Sequence, residues 1–250
     1  MKSSTLLKSV LCLAAAVLAG CDKDDPNEIS MDMISNGIIT VVGADGVSYD
    51  AVDLGLPSGT LWATHNIGAT EPYQYGDYFA WGETTSNRNE YRWDTYPLSS
   101  EHDAFSFTRY CTNDEYGTKD NRKTLLPEDD AARIHWGGAW RMPTEAEFDE
   151  LRSRCDKRYC KLDGVWGFLL TSKSKGFDDR RLFFPCAGQY DNIQLKFKEK
   201  YGFYWSCTLA NTPQQAYIFS VEHKDDLDNV VVNQKVRYIG LPVRPVATGE

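Results

Sequence analysis

The densest group of side chains that could do chemistry lies in residues 136–151, which read WGGAWRMPTEAEFDEL. Carboxylates such as Glu145, Glu147 and Glu150 serve as acid and base in glycoside hydrolysis when two of them face each other across a substrate. The spacing here favours a structural role, because Thr144 followed by Glu147 forms a capping box at the start of a helix. A first-turn carboxylate such as Glu145 is also stabilised by the helix dipole. We therefore assign no catalytic residue to this stretch.

Two arginines, Arg141 and Arg244, lie beside proline and apolar residues. A buried guanidinium needs a carboxylate or several carbonyl acceptors. Both arginines are therefore predicted to brace loops rather than to contact a ligand.

The remaining motifs for catalysis and for metal binding are weak. The chain has no GxSxG, no P-loop and no GxGxxG, and none of its four histidines stands at HxH or HxxxH spacing. No metal and no cofactor is predicted from these patterns. Acidic stretches at 178–179, 190–192 and 225–229 supply the oxygen ligands that calcium prefers, so calcium stays open as an alternative to solvated turns.

Five of the seven cysteines follow residue 100, and their spacing fits no zinc site: Cys111, Cys155, Cys160, Cys186 and Cys207. Five is an odd number, so at least one thiol is unpaired within this set. The connectivity of the others is not fixed by the sequence. A reactive thiol needs an exposed, electropositive setting, whereas apolar or small residues flank Cys186 and Cys207. Neither is predicted to be catalytic.

The first 20 residues are typical of a bacterial lipoprotein signal peptide. Lys2 and Lys8 supply the positive charge of the first part of a signal peptide, and the apolar run at 6–18 is too short to span a bilayer. The run ends in LAGC, which resembles a lipobox and makes Cys21 the predicted lipidation site. Residues 21–36 are predicted to be an acidic tether, and residues 37–250 a single domain.

The residues after the anchor predict the location of the protein, and its net charge limits its partners. The acidic residues after Cys21 resemble an export signal to the outer face of the outer membrane in Bacteroides-like bacteria, with a periplasm-facing lipoprotein as the alternative. Removal of residues 1–20 takes two lysines and no acidic residue, which leaves 25 basic and 36 acidic side chains and a net charge of −11. Such a charge, without a basic stripe, excludes a nucleic-acid partner.

The order of elements predicts an α+β fold with one mostly antiparallel sheet and two main helices. Short strands are expected at 38–42, 47–54 and 60–64, followed by a polar and aromatic segment at 70–124 with weak periodicity. Helices are expected at 125–136 and from 144 onward. Six further strands are expected, at 165–171, 181–187, 202–208, 216–221, 230–233 and 236–246.

Six ordered motifs carry a family resemblance: LGLPSGTLWAT, YGDYFAWGET, EDDAARIHWGGAWRMPTEAEF, RLFFPCAGQ, GFYWSCT and GLPVRPV. They resemble the major paralogous domain family of Fibrobacter and Bacteroides over about residues 47–246. That family is similar to the sulfatase-modifying-factor fold of the formylglycine-generating enzymes, a variant of the C-type lectin fold. This chain departs from the family at His65, Cys186 and Cys207. The resemblance implies that the strands containing Cys186 and Cys207 are neighbours, which would permit a disulfide between them.

In this fold the loops carry ligands. The two long connections, 70–124 and 188–201, therefore contain the predicted contacts for a glycan or protein ligand: Trp93, Tyr190, Asp191, Asn192 and Tyr201. We predict a surface lipoprotein that acts as a non-catalytic binding or adhesion module. The alternatives are a copper- and thiol-dependent oxidase of the formylglycine-generating type and a structural accessory subunit of a surface assembly.

Overall fold

Strands dominate the regular structure of residues 25–225 and 227–248, which the computed structural model describes. The strands are β1 (Glu28–Ile29), β2 (Ile38–Val42), β3 (Ser48–Asp53), β4 (Thr60–Ala63), β5 (Cys155–Leu162), β6 (Val165–Ser172), β7 (Arg181–Pro185), β8 (Gln189–Asp191), β9 (Gln194–Lys196), β10 (Tyr201–Leu209), β11 (Gln215–Lys224), β12 (Leu227–Val236) and β13 (Val246–Thr248). The helices are α1 (Ala131–His135) and α2 (Glu145–Arg154), with 3-10 turns at Met31–Ile34, Trp93–Thr95, Asp114–Tyr116 and Pro127–Asp129. These elements confirm a mainly-sheet α+β fold.

The strands form three sheets and a hairpin rather than the one sheet expected. The first sheet has the order β13-β4-β3-β2 and the third the order β10-β11-β12, and both are antiparallel throughout. The second sheet has the order β1-β5-β6-β7, in which only β1 runs parallel to its neighbour. Strands β8 and β9 form a hairpin.

The segment 70–124 has little regular structure but is well packed. Seven of its aromatic side chains are buried, including Trp81 and Tyr96, whereas Phe105 is exposed. Two indoles join this segment to β10: Trp81 Nε1 donates to the Ser206 carbonyl at 2.8 Å, and Trp205 Nε1 donates to the Phe79 carbonyl at 2.8 Å. The YGDYFAWGET and GFYWSCT motifs therefore interlock in one core.

The first predicted helix, 125–136, is divided in two. Pro127–Asp129 is a 3-10 turn, and Asp130 is extended before α1 begins. The Asp130 carboxylate accepts hydrogen bonds from Arg133 N and Met142 N, each with a donor–acceptor distance of about 3 Å. This side chain therefore caps the short helix and holds the 142 loop, which an uninterrupted helix would not allow. Gly137 and Gly138, both with φ near +60°, end α1 as predicted.

Three further expectations are corrected. The expected tether is ordered from Glu28, because β1 pairs with β5 and Ile29 and Ile34 are buried. The unpredicted β5 has exposed charged residues at 156–158, which hid its strand character. Most of the expected strand 236–246 is absent, since β12 ends at Val236 and β13 begins only at Val246. Arg237 turns into the core, and the two prolines after it lack an N–H for a strand ladder.

Candidate functional site

Two carboxylates of the 136–151 stretch, Glu147 and Glu150, are occupied by structural contacts. Glu147 accepts hydrogen bonds from both terminal nitrogens of Arg141, from the Thr144 N–H and hydroxyl, and from the Thr60 hydroxyl, at 2.5–2.9 Å. Glu150 accepts from the N–H and the hydroxyl of Ser58. Thr144 and Glu147 form the predicted capping box of α2. Glu147 therefore ties β4, the 141 loop and α2 together, and its oxygens are saturated.

Arg244 is fully buried and acts as a brace. Its Nε donates to Asn66 Oδ1 at 2.8 Å, and its terminal nitrogens donate to the carbonyls of Ala63, Thr64 and Phe183 at 3.0–3.2 Å. These bonds join the end of β4 to β7. Desolvation by burial lowers the pKa of Arg244 to about 10, so the guanidinium is still charged at neutral pH.

The five described cysteines are free and buried. Burial raises the pKa of Cys155 and Cys207 to about 12 and that of Cys160 to about 11, and it also raises the pKa of Cys186. The expected disulfide between Cys186 and Cys207 is absent, because β7 and β10 belong to different sheets and the two thiols lie in different core clusters. These thiols lack the exposed, electropositive setting of a reactive cysteine.

The structure brings most of the predicted ligand residues together, but as anchors of the β8–β9 hairpin. Tyr190 packs against Tyr78 and Tyr91, at ring-centroid distances of 4.8 and 5.8 Å. Asn192, at the hairpin turn, exchanges two backbone hydrogen bonds with Tyr91. Asp191 forms an ion pair with Lys196 at 2.7 Å.

The other two predicted contacts are also packed. Trp93 packs edge-on against Tyr238, with ring centroids 5.0 Å apart, and Tyr201 lies 5.4 Å from Phe197. Burial and the nearby Asp191 carboxylate raise the pKa of Tyr238, the ring against which Trp93 packs. Only part of each side chain is left for a ligand.

Sequence reasoning missed an open cleft at the first sheet, which we call the edge cleft. It has a volume of about 480 Å³ and is bounded by the 3-10 helix Met31–Ile34, by Ile38 of β2, by residues 47–50, by Thr64 and His65, by the loop 69–72 and by β7. Its ionisable side chains are Asp32, Asp50, Glu71, Arg181 and His65. Burial lowers the pKa of His65, which is therefore neutral at pH 7. Three carboxylates thus face a single cation.

Strand β2 forms the open edge beside this cleft. It is the last strand of its sheet. The Asp50 carbonyl accepts from Thr64 N on the β4 side, so Thr40 and Asp50 are a pair that exchanges no backbone bonds. The N–H and C=O of Thr40, and those of Ile38 two residues away, therefore point away from the sheet. Ile38 is 39% exposed and Val42 is 56% exposed.

A second opening, which we call the polar pocket, lies in the 82–129 region and also has a volume of about 480 Å³. Glu83 and Asp129 line it, each paired with an arginine: Glu83 with Arg88, and Asp129 with Arg109 at 2.6 Å. Glu83 belongs to the YGDYFAWGET motif, but the facing ion pair of Arg109 and Asp129 comes from positions more than 20 residues away. The motif was therefore the only signal for this pocket in the sequence.

Two further classes of site are not found in the described residues. Within 25–225 and 227–248, no three His, Cys, Asp or Glu side chains are arranged to hold a metal ion. Of the residues considered for calcium, Asp226 lies outside the described part of the chain, while Asp179, Asp191 and Asp228 pair with Arg180, Lys196 and His223. No helix in the described ranges has the length and apolar character required to cross a membrane.

Comparisons with known proteins gave no match, since no family model, no curated protein and no solved structure is significantly similar to this chain. The function is therefore argued from the geometry above.

Proposed function

We propose that this chain is a lipoprotein of the outer membrane, anchored through Cys21, whose C-type lectin-like domain is a non-catalytic binding module. Its ligand is an extended segment of a cationic partner protein that adds as a further strand to β2. The fold assignment is supported by the six ordered motifs and by the contacts among them. The GLPVRPV motif bridges to YGDYFAWGET through Leu241 and Phe79, and to the 128–148 motif through Val246 and Arg141.

The open edge of β2 carries the proposal. Natural proteins protect an edge strand with charges, prolines, bulges or a covering segment, because unpaired N–H and C=O groups recruit another strand. The residues of β2 are Ile38, Ile39, Thr40, Val41 and Val42, with no charge and no proline among them. Strand addition supplies backbone hydrogen bonds, while pockets for alternate side chains supply specificity. Here the edge cleft is such a pocket, on the face of Ile38.

Charge selects the partner. The edge cleft presents three carboxylates and only one arginine, and the Arg181 guanidinium already donates to the carbonyls of Met33 and Asp179 at 3.2 Å. A cleft lined by one sign of charge concentrates ligands of the opposite sign. Ile38 and Asp50 lie on the same face of this sheet, because Thr40 is two residues after Ile38 and pairs with Asp50. A segment with an apolar and a basic residue two positions apart would place the apolar residue over Ile38 and the basic residue near Asp50.

The test uses a peptide array probed with the purified full chain. Extended peptides with an apolar residue and a lysine two positions apart should be retained, and the same peptides with glutamate in place of lysine should not. Thr40→Pro should abolish retention, because proline removes an outward N–H and an edge strand tolerates proline where that N–H faces solvent. Retention should also weaken as salt is raised.

Thr40→Val is the matched control, since it keeps the N–H and the β-branched shape and should bind as the wild type does. Circular dichroism of both variants establishes that the fold is intact. The proposal is wrong if folded wild-type protein retains no peptide, or if Thr40→Pro binds as tightly as Thr40→Val. Binding on a glycan array alone would assign the module to carbohydrate instead.

A further inference from the structure

The polar pocket contains a buried carboxylate oxygen that no side chain of the described residues satisfies. Glu83 is only 7% exposed, and its Oε1 pairs with Arg88. Its Oε2 is buried without a hydrogen-bond partner. An unsatisfied buried charge-bearing atom is costly, and native proteins satisfy nearly all such atoms with protein, water or a ligand.

The opposite wall carries a second buried carboxylate. Asp129 is 6% exposed, and its Oδ2 accepts from Arg109 at 2.6 Å and from the Tyr110 hydroxyl. The pocket therefore holds two buried carboxylates, each with one oxygen fixed by an arginine, and the second oxygen of Glu83 has no partner.

From this pocket we infer a second binding site, for a neutral, polyhydroxylated ligand of the size of one sugar residue. Its volume lies within the range of about 300–1,000 Å³ that is usual for small-molecule sites. Thr84, Thr85, Pro97 and Leu98 complete the lining, so hydroxyl and apolar contacts are both available. The site is separate from β2 and does not depend on peptide binding there.

The balance of charge argues for a neutral ligand. Two carboxylates and two guanidiniums line the pocket, and Glu128 approaches Arg109 only to 3.9 Å without lining it. An anionic ligand would be repelled by the carboxylates, and a cationic ligand by the arginines. A vicinal diol suits both the carboxylates and the guanidiniums of the pocket, since each hydroxyl donates to a carboxylate oxygen and accepts from a guanidinium N–H or a threonine hydroxyl.

The test is a titration of the full chain, in a zwitterionic detergent without sugar groups, with methyl glycosides of mannose, galactose and N-acetylglucosamine. Saturation-transfer difference NMR should give saturable binding for at least one of them. Glu83→Gln should weaken that binding about tenfold, since it removes a charged acceptor while keeping the shape of the side chain. Glu90→Gln, a nearby exposed carboxylate outside the pocket, should bind as the wild type does.

A second variant keeps the inference testable if Glu83→Gln does not fold. Thr85→Met places a longer, non-aromatic side chain at the exposed rim and leaves the residues of both ion pairs unchanged, and it should weaken binding by at least as much. Three outcomes would overturn the inference: no saturable binding of any glycoside to folded protein, tighter binding of glucuronate or of lysine methyl ester than of the neutral glycosides, or unchanged affinity in both pocket variants. Peptide retention on the array should be unaffected by Glu83→Gln, so failure here is distinguishable from failure of the proposed function.

Discussion

At the scale of single residues, the most consequential side chain that the sequence did not indicate is Arg237. It is fully buried, and its guanidinium donates to the Tyr96 hydroxyl at 2.9 Å and to the carbonyls of Tyr110, Pro213 and Arg109 at 3.0–3.3 Å. Aromatic rings surround it, including Phe107, whose centroid lies 4.4 Å away. Hydrogen bonds and cation–π contacts thus replace the carboxylate that a buried arginine commonly has.

Arg237→Lys should lower the free energy of unfolding by about 3 kcal/mol, since an ammonium cannot reproduce the planar fork and leaves buried carbonyls unpaired. Urea unfolding at neutral pH measures this change. Arg158→Lys is the matched control, because Arg158 is exposed on β5 and its replacement should change the free energy by less than about 0.5 kcal/mol. A loss as small as the control's would show that the buried guanidinium contributes little.

The sequence indicated the role of a residue where its partners are local or its motif is distinctive. Thr144 and Glu147 were assigned correctly because a capping box spans only three residues. Glu83 was missed as a site residue because the facing ion pair, Arg109 with Asp129, comes from positions more than 20 residues away. Pockets of this kind arise from tertiary packing, which no short spacing in the chain records.

At the scale of elements, α2 shows how a helix boundary can be fixed by side chains. Burial by itself raises the pKa of the Glu147 carboxyl, but the hydrogen bonds from Arg141 and Thr144 outweigh it and lower the pKa to about 2. The folded state therefore favours the ionised carboxylate more strongly than the unfolded chain does. The resulting stability is present above the usual pKa of 4.5 and is lost as the pH falls through about 2.

Glu147→Gln should accordingly lower the free energy of unfolding by about 3 kcal/mol at pH 7, and the deficit should shrink as the pH is lowered from 4.5 toward 2. Urea unfolding of both proteins at pH 7, 4 and 2.5 measures it. Glu145→Gln, in the same first turn but outside the ion pair, should cost only about 0.3–1 kcal/mol. A deficit that stays constant across this pH range would mean that Glu147 acts through its shape and not through its charge.

At the scale of the whole molecule, the mainly-sheet α+β class was predictable from the alternation of strands and turns, whereas the division into three sheets was not. Strand β5 follows α2 without a turn and carries exposed charges, so its pattern resembled a solvated segment. Its partner β1 lies more than 100 residues earlier, in the expected tether. Pairing at such separation depends on the packing of the whole chain, which a local pattern does not encode.

Attachment to the membrane is predicted from the sequence of residues 1–24, which lie outside the described part of the structure. If Cys21 is lipidated, the chain should partition into the detergent phase of Triton X-114 when expressed in a bacterium that processes lipoproteins. Cys21→Ser should move it to the aqueous phase, because serine lacks the thiol to which the lipid would be attached. Cys12→Ser, within the apolar run of the signal peptide, should leave partitioning unchanged. Detergent-phase partitioning of Cys21→Ser would show that the membrane association does not depend on a lipid at this cysteine.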